Sequence, residues 1–148
     1  MNNNIKIIAI AGDHAGYDLK EKIKINLNND YNFIDFGTNS TESMDYPDVI
    51  HPLAKSIDNN DYKFGIIICG SGNGVAITAN KYKNVRAAIC WNTEIAKLAR
   101  QHNDANILSL PARFISEAEA EKIIEVFFNT GFEEGRHLRR VNKISEIL

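Results

Sequence analysis

Two short runs in the 148-residue sequence gather groups able to move protons and hold an anion: GDHAG at 12–16 and CGSGNG at 69–74. The first supplies a carboxylate, Asp13, and an imidazole, His14. The second supplies a thiol, Cys69, and a hydroxyl, Ser71, set among Gly70, Gly72, Asn73 and Gly74. A thiol beside a helix N-terminus or cationic groups ionises below the reference pKa of about 8.5, and the thiolate is a usable base or nucleophile. The glycine loop has the make-up of an anion cradle. Its GxGxG spacing departs from the dinucleotide fingerprint GxGxxG, and no Gly-Lys-Ser/Thr follows to make a P-loop. Each feature also has a plain structural explanation. Asp13 suits the N-cap of a following helix, His14 a surface loop, the glycines a tight turn, and Cys69 a small apolar strand-end residue. Cys90 is read in that last way, because no glycine-rich turn follows it.

Two further groups of residues carry charge or chemistry. Arg136, Arg140 and Lys143 fall at i, i+4 and i+7 and so share one face of a terminal helix. Two arginines one turn apart can grip a phosphate or carboxylate with several forked donors, although a solvated basic face explains them equally well. His102 and Asn103 close another helical stretch. There His102 is either a C-terminal cap favoured by the helix dipole or a residue that serves a neighbouring subunit.

The elements that must position these residues alternate along the chain. Residues 5–11, 33–36, 64–69, 85–90 and 107–110 read as short buried strands rich in β-branched residues. Between them, amphipathic stretches read as helices. Residues 16–28 carry Leu19, Ile23 and Leu27 at helical spacing, and a second helix opens at Pro47. Residues 75–81 and 93–101 give two more, and Ser116 with Glu119 forms a capping box that opens another. A last helix starts near Arg136. Strands alternating with helices predict an α/β fold: a three-layer α/β/α sandwich on a five-stranded parallel, Rossmann-like sheet, with a C-terminal helix. Ligands in such sheets bind beyond the carboxyl ends of the strands, where Asp13, His14, Cys69 and Ser71 would meet. The 93–101 helix runs the other way, so it leaves His102 at the opposite edge.

Composition removes several alternatives. There are 17 Lys+Arg against 19 Asp+Glu, a formal charge of −2, so no domain-wide basic excess suits nucleic acid. No apolar run approaches the 18 or so residues a membrane helix needs, and MNNNIK lacks the layout of a signal peptide. Two cysteines without CxxC or HExxH spacing suggest neither a disulfide framework nor a structural metal. The expectation is one domain over 1–148, cytoplasmic, with reduced thiols.

Taken together, GDHAG (12–16), DYPD (45–48), CGSGNGVAITANK (69–81), RAAIC (86–90), ARQHNDANIL (99–108) and GRHLRRV (135–141) resemble the sugar-phosphate isomerase family of type B ribose-5-phosphate isomerases and galactose-6-phosphate isomerases. The resemblance spans nearly the whole chain. It implies reversible aldose–ketose isomerisation of a sugar phosphate through a cis-enediolate, with no metal or other cofactor. It also implies a homodimer or larger assembly with active sites at the subunit interface, His102 entering its neighbour's site. By the same resemblance Cys69 is the base, and His102 with Asp13 opens the sugar ring. Gly70, Ser71, Gly72, Asn73 and Gly74 hold the enediolate oxygen, and Asn103 bonds substrate oxygens. His14, Arg113, Arg136 and Arg140 bind phosphate, and Asp45 and Tyr46 line the site. Many members carry Thr at the position of Ser71, and part of the family replaces the cysteine by a Glu a few residues later. Three readings stay open on this basis. Ribose 5-phosphate leads, a six-carbon sugar phosphate (allose 6-phosphate or galactose 6-phosphate) follows, and a non-catalytic anion-binding module comes last.

Overall fold

Among the described residues, five parallel strands alternate with helices and a sixth helix follows the fifth, as the periodicity predicts. The computed structural model describes residues 5–147. Residues 1–4, which opened the test for a signal peptide, and Leu148 lie outside the described residues. In chain order the elements are β1 (Lys6–Gly12), α1 (Tyr17–Asn26), β2 (Tyr31–Asp35), α2 (Pro47–Asp58), β3 (Phe64–Cys69) and α3 (Asn73–Ala79). Then follow β4 (Ala87–Ile89), α4 (Thr93–Asn103), β5 (Ile107–Pro111), α5 (Glu117–Phe128) and α6 (Arg136–Lys143). The sheet order is β2-β1-β3-β5-β4. The chain reverses direction across the sheet between β1 and β3, which makes that pair the topological switch point.

Alternation along the strands divides the core into two layers. Ile8 and Ile10 of β1, Ile66 and Ile68 of β3, and Leu108 and Leu110 of β5 pack against Ile23, Ala96, Ala99, Ile123 and Phe127 from α1, α4 and α5. Ala9, Ala11, Ile67, Cys69 and Ile107 face the other way, onto Ile50, Leu53, Ile57, Val75 and Ala79 of α2 and α3. Both faces are covered, so the strands read as continuous apolar runs. Each fully buried isoleucine contributes roughly 1.5–3 kcal/mol relative to exposure.

The helix ends carry the signals read in the sequence. Pro47 sits in the first turn of α2, and Ser116 and Glu119 satisfy each other's backbone amides in a complete capping box. One feature lay outside the apolar pattern. Lys20 of α1 is fully buried, its ammonium 2.7 Å from the Asp35 carboxylate at the end of β2 and 3.2 Å from Glu21. No helix among the described residues is long and apolar enough to cross a membrane.

Candidate active site

The carboxyl ends of β1 and β3 lie side by side, with Gly12 paired to Ile68. The segment after β1 therefore meets the loop after β3. The Asp13 amide donates to the Ile68 carbonyl at 3.1 Å, and the amides of Ala15 and Gly16 donate to Asp13 Oδ1, both at 3.0 Å. Asp13 is thus held in a turn of its own, 7% exposed, while Gly16 rather than Asp13 occupies the N-cap of α1. Gly16 is required there: a Cβ would stand 2.6 Å from the Ile68 carbonyl oxygen.

Next to Asp13 the imidazole of His14 accepts a hydrogen bond from the Met44 amide at Nδ1, 3.2 Å away. An accepting Nδ1 puts the proton of the neutral ring on Nε2, which leaves a donor free for an anion. The same bond draws the connection between β2 and α2 over the site, and the Tyr46 ring that follows lies directly across Gly74.

Cys69 ends β3, only 6% exposed. Its sulfur accepts the Gly72 amide at 3.1 Å, a contact that holds it against the start of the glycine loop. Gly72 adopts φ +76°, a left-handed conformation that turns the chain into α3, and its carbonyl accepts the buried Ser109 hydroxyl at 2.7 Å. The Asn73 amide donates to Ser71 Oγ at 3.2 Å. β5 closes the far wall: the Ala112 amide donates to the Cys69 carbonyl at 2.9 Å and the Arg113 amide to the Gly70 carbonyl at 3.0 Å.

Asp13, His14, Tyr46, Cys69, Gly70, Ser71, Gly74 and Arg113 thereby surround one cavity of about 480 Å³. Phe114, which the sequence reading passed over, completes the rim at 74% exposure. Its signal was a bulky apolar residue directly after a strand-end arginine. Four clefts are larger, about 730, 690, 510 and 500 Å³, but none of them is lined by a thiol or an imidazole. Chemistry, not size, singles out the smaller one. Cys90 is the contrast: fully buried and away from the cavity, its thiol is pushed up by burial to about 12.

The remaining expected residues are not brought to this cavity. Gly72 lies beneath it as a support, and Asn73 lines a separate cleft with Ile77 and Ile89. Asp45 is exposed outside it. His102 and Asn103 end α4, just before β5 begins at Ile107. Ile107 pairs with Gly65 while Pro111 pairs with Cys69, so about 13 Å of strand separates the two edges. Arg136 and Arg140 stay with that far edge, because α6 packs on α4 and His137 stacks on His102 with ring centroids 4.3 Å apart. Within one chain the two arginines and Arg113 do not form a single phosphate site.

The family model for ribose/galactose isomerases matches residues 8–144. The chain belongs to that family. It is an isomerase, which sets aside the reading of a non-catalytic binding module. Among similar proteins, the probable ribose-5-phosphate isomerase B of Mycoplasma genitalium is 44% identical over 140 residues, 93% of this chain and 92% of that protein. The crystal structure of a ribose 5-phosphate isomerase from Thermotoga maritima superposes with a TM-score of 0.92 at 48% identity, covering 95% of this chain and 98% of the other. The M. genitalium ribose-5-phosphate isomerase B with bound ribulose-5-phosphate superposes with a TM-score of 0.90 at 42% identity, covering 95% of each chain. The α/β architecture of this isomerase is therefore that of its family.

Proposed function

We propose that this isomerase interconverts ribose 5-phosphate and ribulose 5-phosphate through a cis-enediolate, with Cys69 as the base. The observation that carries the reading is the Cys69 sulfur, aligned by the Gly72 amide at the wall of a cavity that also holds Asp13, His14 and Arg113. The names of the similar proteins, one of them with ribulose-5-phosphate bound, support the substrate.

In the forward direction the Cys69 thiolate takes the proton from C2 of the open-chain aldose. The electron pair left behind forms the C1–C2 double bond of the enediolate, and the proton returns to C1 to give the ketose. A proton also passes between the two oxygens. The Ser71 hydroxyl and the Ser71 and Gly74 amides at the cavity wall hold the developing oxyanion, which stabilises the transition state more than the ground state. The Gly72 and Asn73 amides brace Cys69 and Ser71. His14 through Nε2–H, together with Arg113, binds the phosphate, whose remote binding energy anchors the reacting carbons.

Ring opening needs an acid and a base at the cyclic sugar, and Asp13 supplies one of them. His102 of a second subunit supplies the other, with Asn103 beside it, and Arg136 and Arg140 of that subunit complete the phosphate site. The separation of these four residues from Cys69 within one chain supports a homodimer with composite sites. Asp45 and Tyr46 cover the entrance.

The family also contains galactose isomerases, so a six-carbon sugar phosphate is the second reading. A coupled assay of the purified protein with ribose 5-phosphate, allose 6-phosphate and galactose 6-phosphate decides between them. Ribose 5-phosphate is expected to give the highest kcat/KM; preference for either six-carbon sugar overturns the assignment. The Cys69→Ala variant is expected to fold normally and lose at least about 100-fold in kcat. Near-wild-type turnover would remove Cys69 from the role of base.

A further inference from the structure

Away from the Cys69 cavity, three separate elements bring metal-binding side chains together. His102 comes from the last turn of α4, Glu133 from the connection between α5 and α6, and His137 from the first turn of α6. Their donor atoms all lie within 4.8 Å of one another. We propose that these three residues form a binding site for a zinc-like divalent cation, and that filling it withdraws His102 from the reaction. The inhibitory half of this proposal rests on the ring-opening role of His102 given above; the binding half stands independently of it.

The spacing is that of donors around a shared centre. Glu133 Oε2 lies 3.9 Å from His102 Nε2 and 3.5 Å from His137 Nε2, both longer than a hydrogen bond. Tetrahedral bonds of 2.0–2.1 Å place zinc donors about 3.4 Å apart, so the carboxylate needs little movement toward either ring. Two imidazoles and one carboxylate are a donor set zinc favours, with a fourth position left open for water or a substrate oxygen. The stacked rings, 11° from parallel, must tilt for their nitrogens to converge. His102 and Glu133 have room for this, at 39% and 49% side-chain exposure, whereas His137 is buried and acts as the fixed point.

Two features prepare the site. The Glu133 amide donates to the Gln101 carbonyl at 3.1 Å, which ties the carboxylate-bearing loop to the end of α4 next to His102. The carboxyl end of α4 also carries partial negative charge that favours a cation. Arg136 and Arg140 oppose it, so affinity should be weaker than that of a closed structural zinc site. Paired Cys/His spacing could not reveal this group, because its members come from sequence positions 31 and 4 residues apart and only the α4–α6 packing joins them.

The test is titration of the full-length protein with zinc chloride by calorimetry, in a Cys69→Ser background that removes the cavity thiol as a competing ligand. One zinc per chain is expected, with affinity reduced at least about tenfold by Glu133→Gln and again by His137→Asn. Glu133→Gln changes a half-exposed loop residue, and circular dichroism checks that both variants fold. No zinc binding, or binding unchanged in both variants, overturns the proposal. Separately, zinc should inhibit isomerisation by the protein with Cys69 intact, and Glu133→Gln should shift that inhibition to at least about tenfold higher zinc. Binding to the three residues without inhibition would leave the metal site standing and overturn the withdrawal of His102, and with it the role given to that residue.

Discussion

At the scale of single residues, two buried thiols in one chain have opposite chemistry because of what surrounds them. Cys69 receives the Gly72 amide and borders an open cavity, whereas Cys90 is sealed in the core with its thiol raised to about 12. Iodoacetamide at neutral pH is therefore expected to label Cys69 in the native protein and leave Cys90 unmodified until the protein unfolds. Peptide mapping by mass spectrometry reads this out, and equal labelling of both would contradict the assigned difference. The residues able to do this chemistry were legible, since GDHAG and CGSGNG stand at strand ends where a parallel sheet collects its ligands. What the sequence could not give was the rotation of each side chain. That His14 accepts from Met44 depends on backbone that arrives from 30 residues away, and that Asp13 makes its own turn instead of capping α1 goes with Gly16 being pressed against Ile68.

At the scale of elements, α1 is fastened to the sheet by charge as well as by apolar packing. Burial alone would raise the Asp35 carboxyl, but hydrogen bonds from Lys20, Lys24 and the Gly37 amide outweigh it and hold the group below the usual carboxylate range. A carboxylate whose folded value is depressed contributes stability that is complete above its unfolded value of about 3.9 and is lost as pH falls through the lower folded value. Asp35→Asn should therefore destabilise the protein by about 3 kcal/mol at pH 7, because Lys20 stays buried without its main partner. The difference from wild type should shrink below pH 4, and urea midpoints measured from pH 7 down to pH 3 check both statements. Apolar periodicity located α1 correctly through Ile23 yet could not flag Lys20, which no hydrophobic count expects in a core. Similarly, α3 begins two residues earlier than the apolar pattern implied, since Asn73 and Gly74 look like turn residues and only the left-handed Gly72 shows where the helix starts. β4 is shorter than residues 85–90 because the Val85 amide is spent closing the preceding turn onto the Tyr82 carbonyl.

At the scale of the whole molecule, the sheet separates the proposed machinery into two half-sites on opposite edges. Composition and periodicity gave the layers and the strand count, and the antiparallel run of α4 already placed His102 far from Cys69. Complementation follows from this division. Cys69→Ala and His102→Asn, each inactive alone, should regain activity when unfolded together and refolded as mixed dimers, since one of the two sites in each mixed dimer then holds both wild-type residues. Random pairing gives about a quarter of wild-type activity in a steady-state assay. A mixture no more active than its parts would place His102 outside the neighbour's site.

The contact between Gly16 and the Ile68 carbonyl carries a consequence for how such an enzyme can change over evolutionary time. With no room for even a methyl group, any side chain at position 16 would push the start of α1 off β3, so retaining glycine there keeps the spacing between the acid and the thiol. New substrate preferences then have more room to arise in the exposed cover, around Tyr46 and Phe114, while the floor of the cavity stays unaltered beneath them.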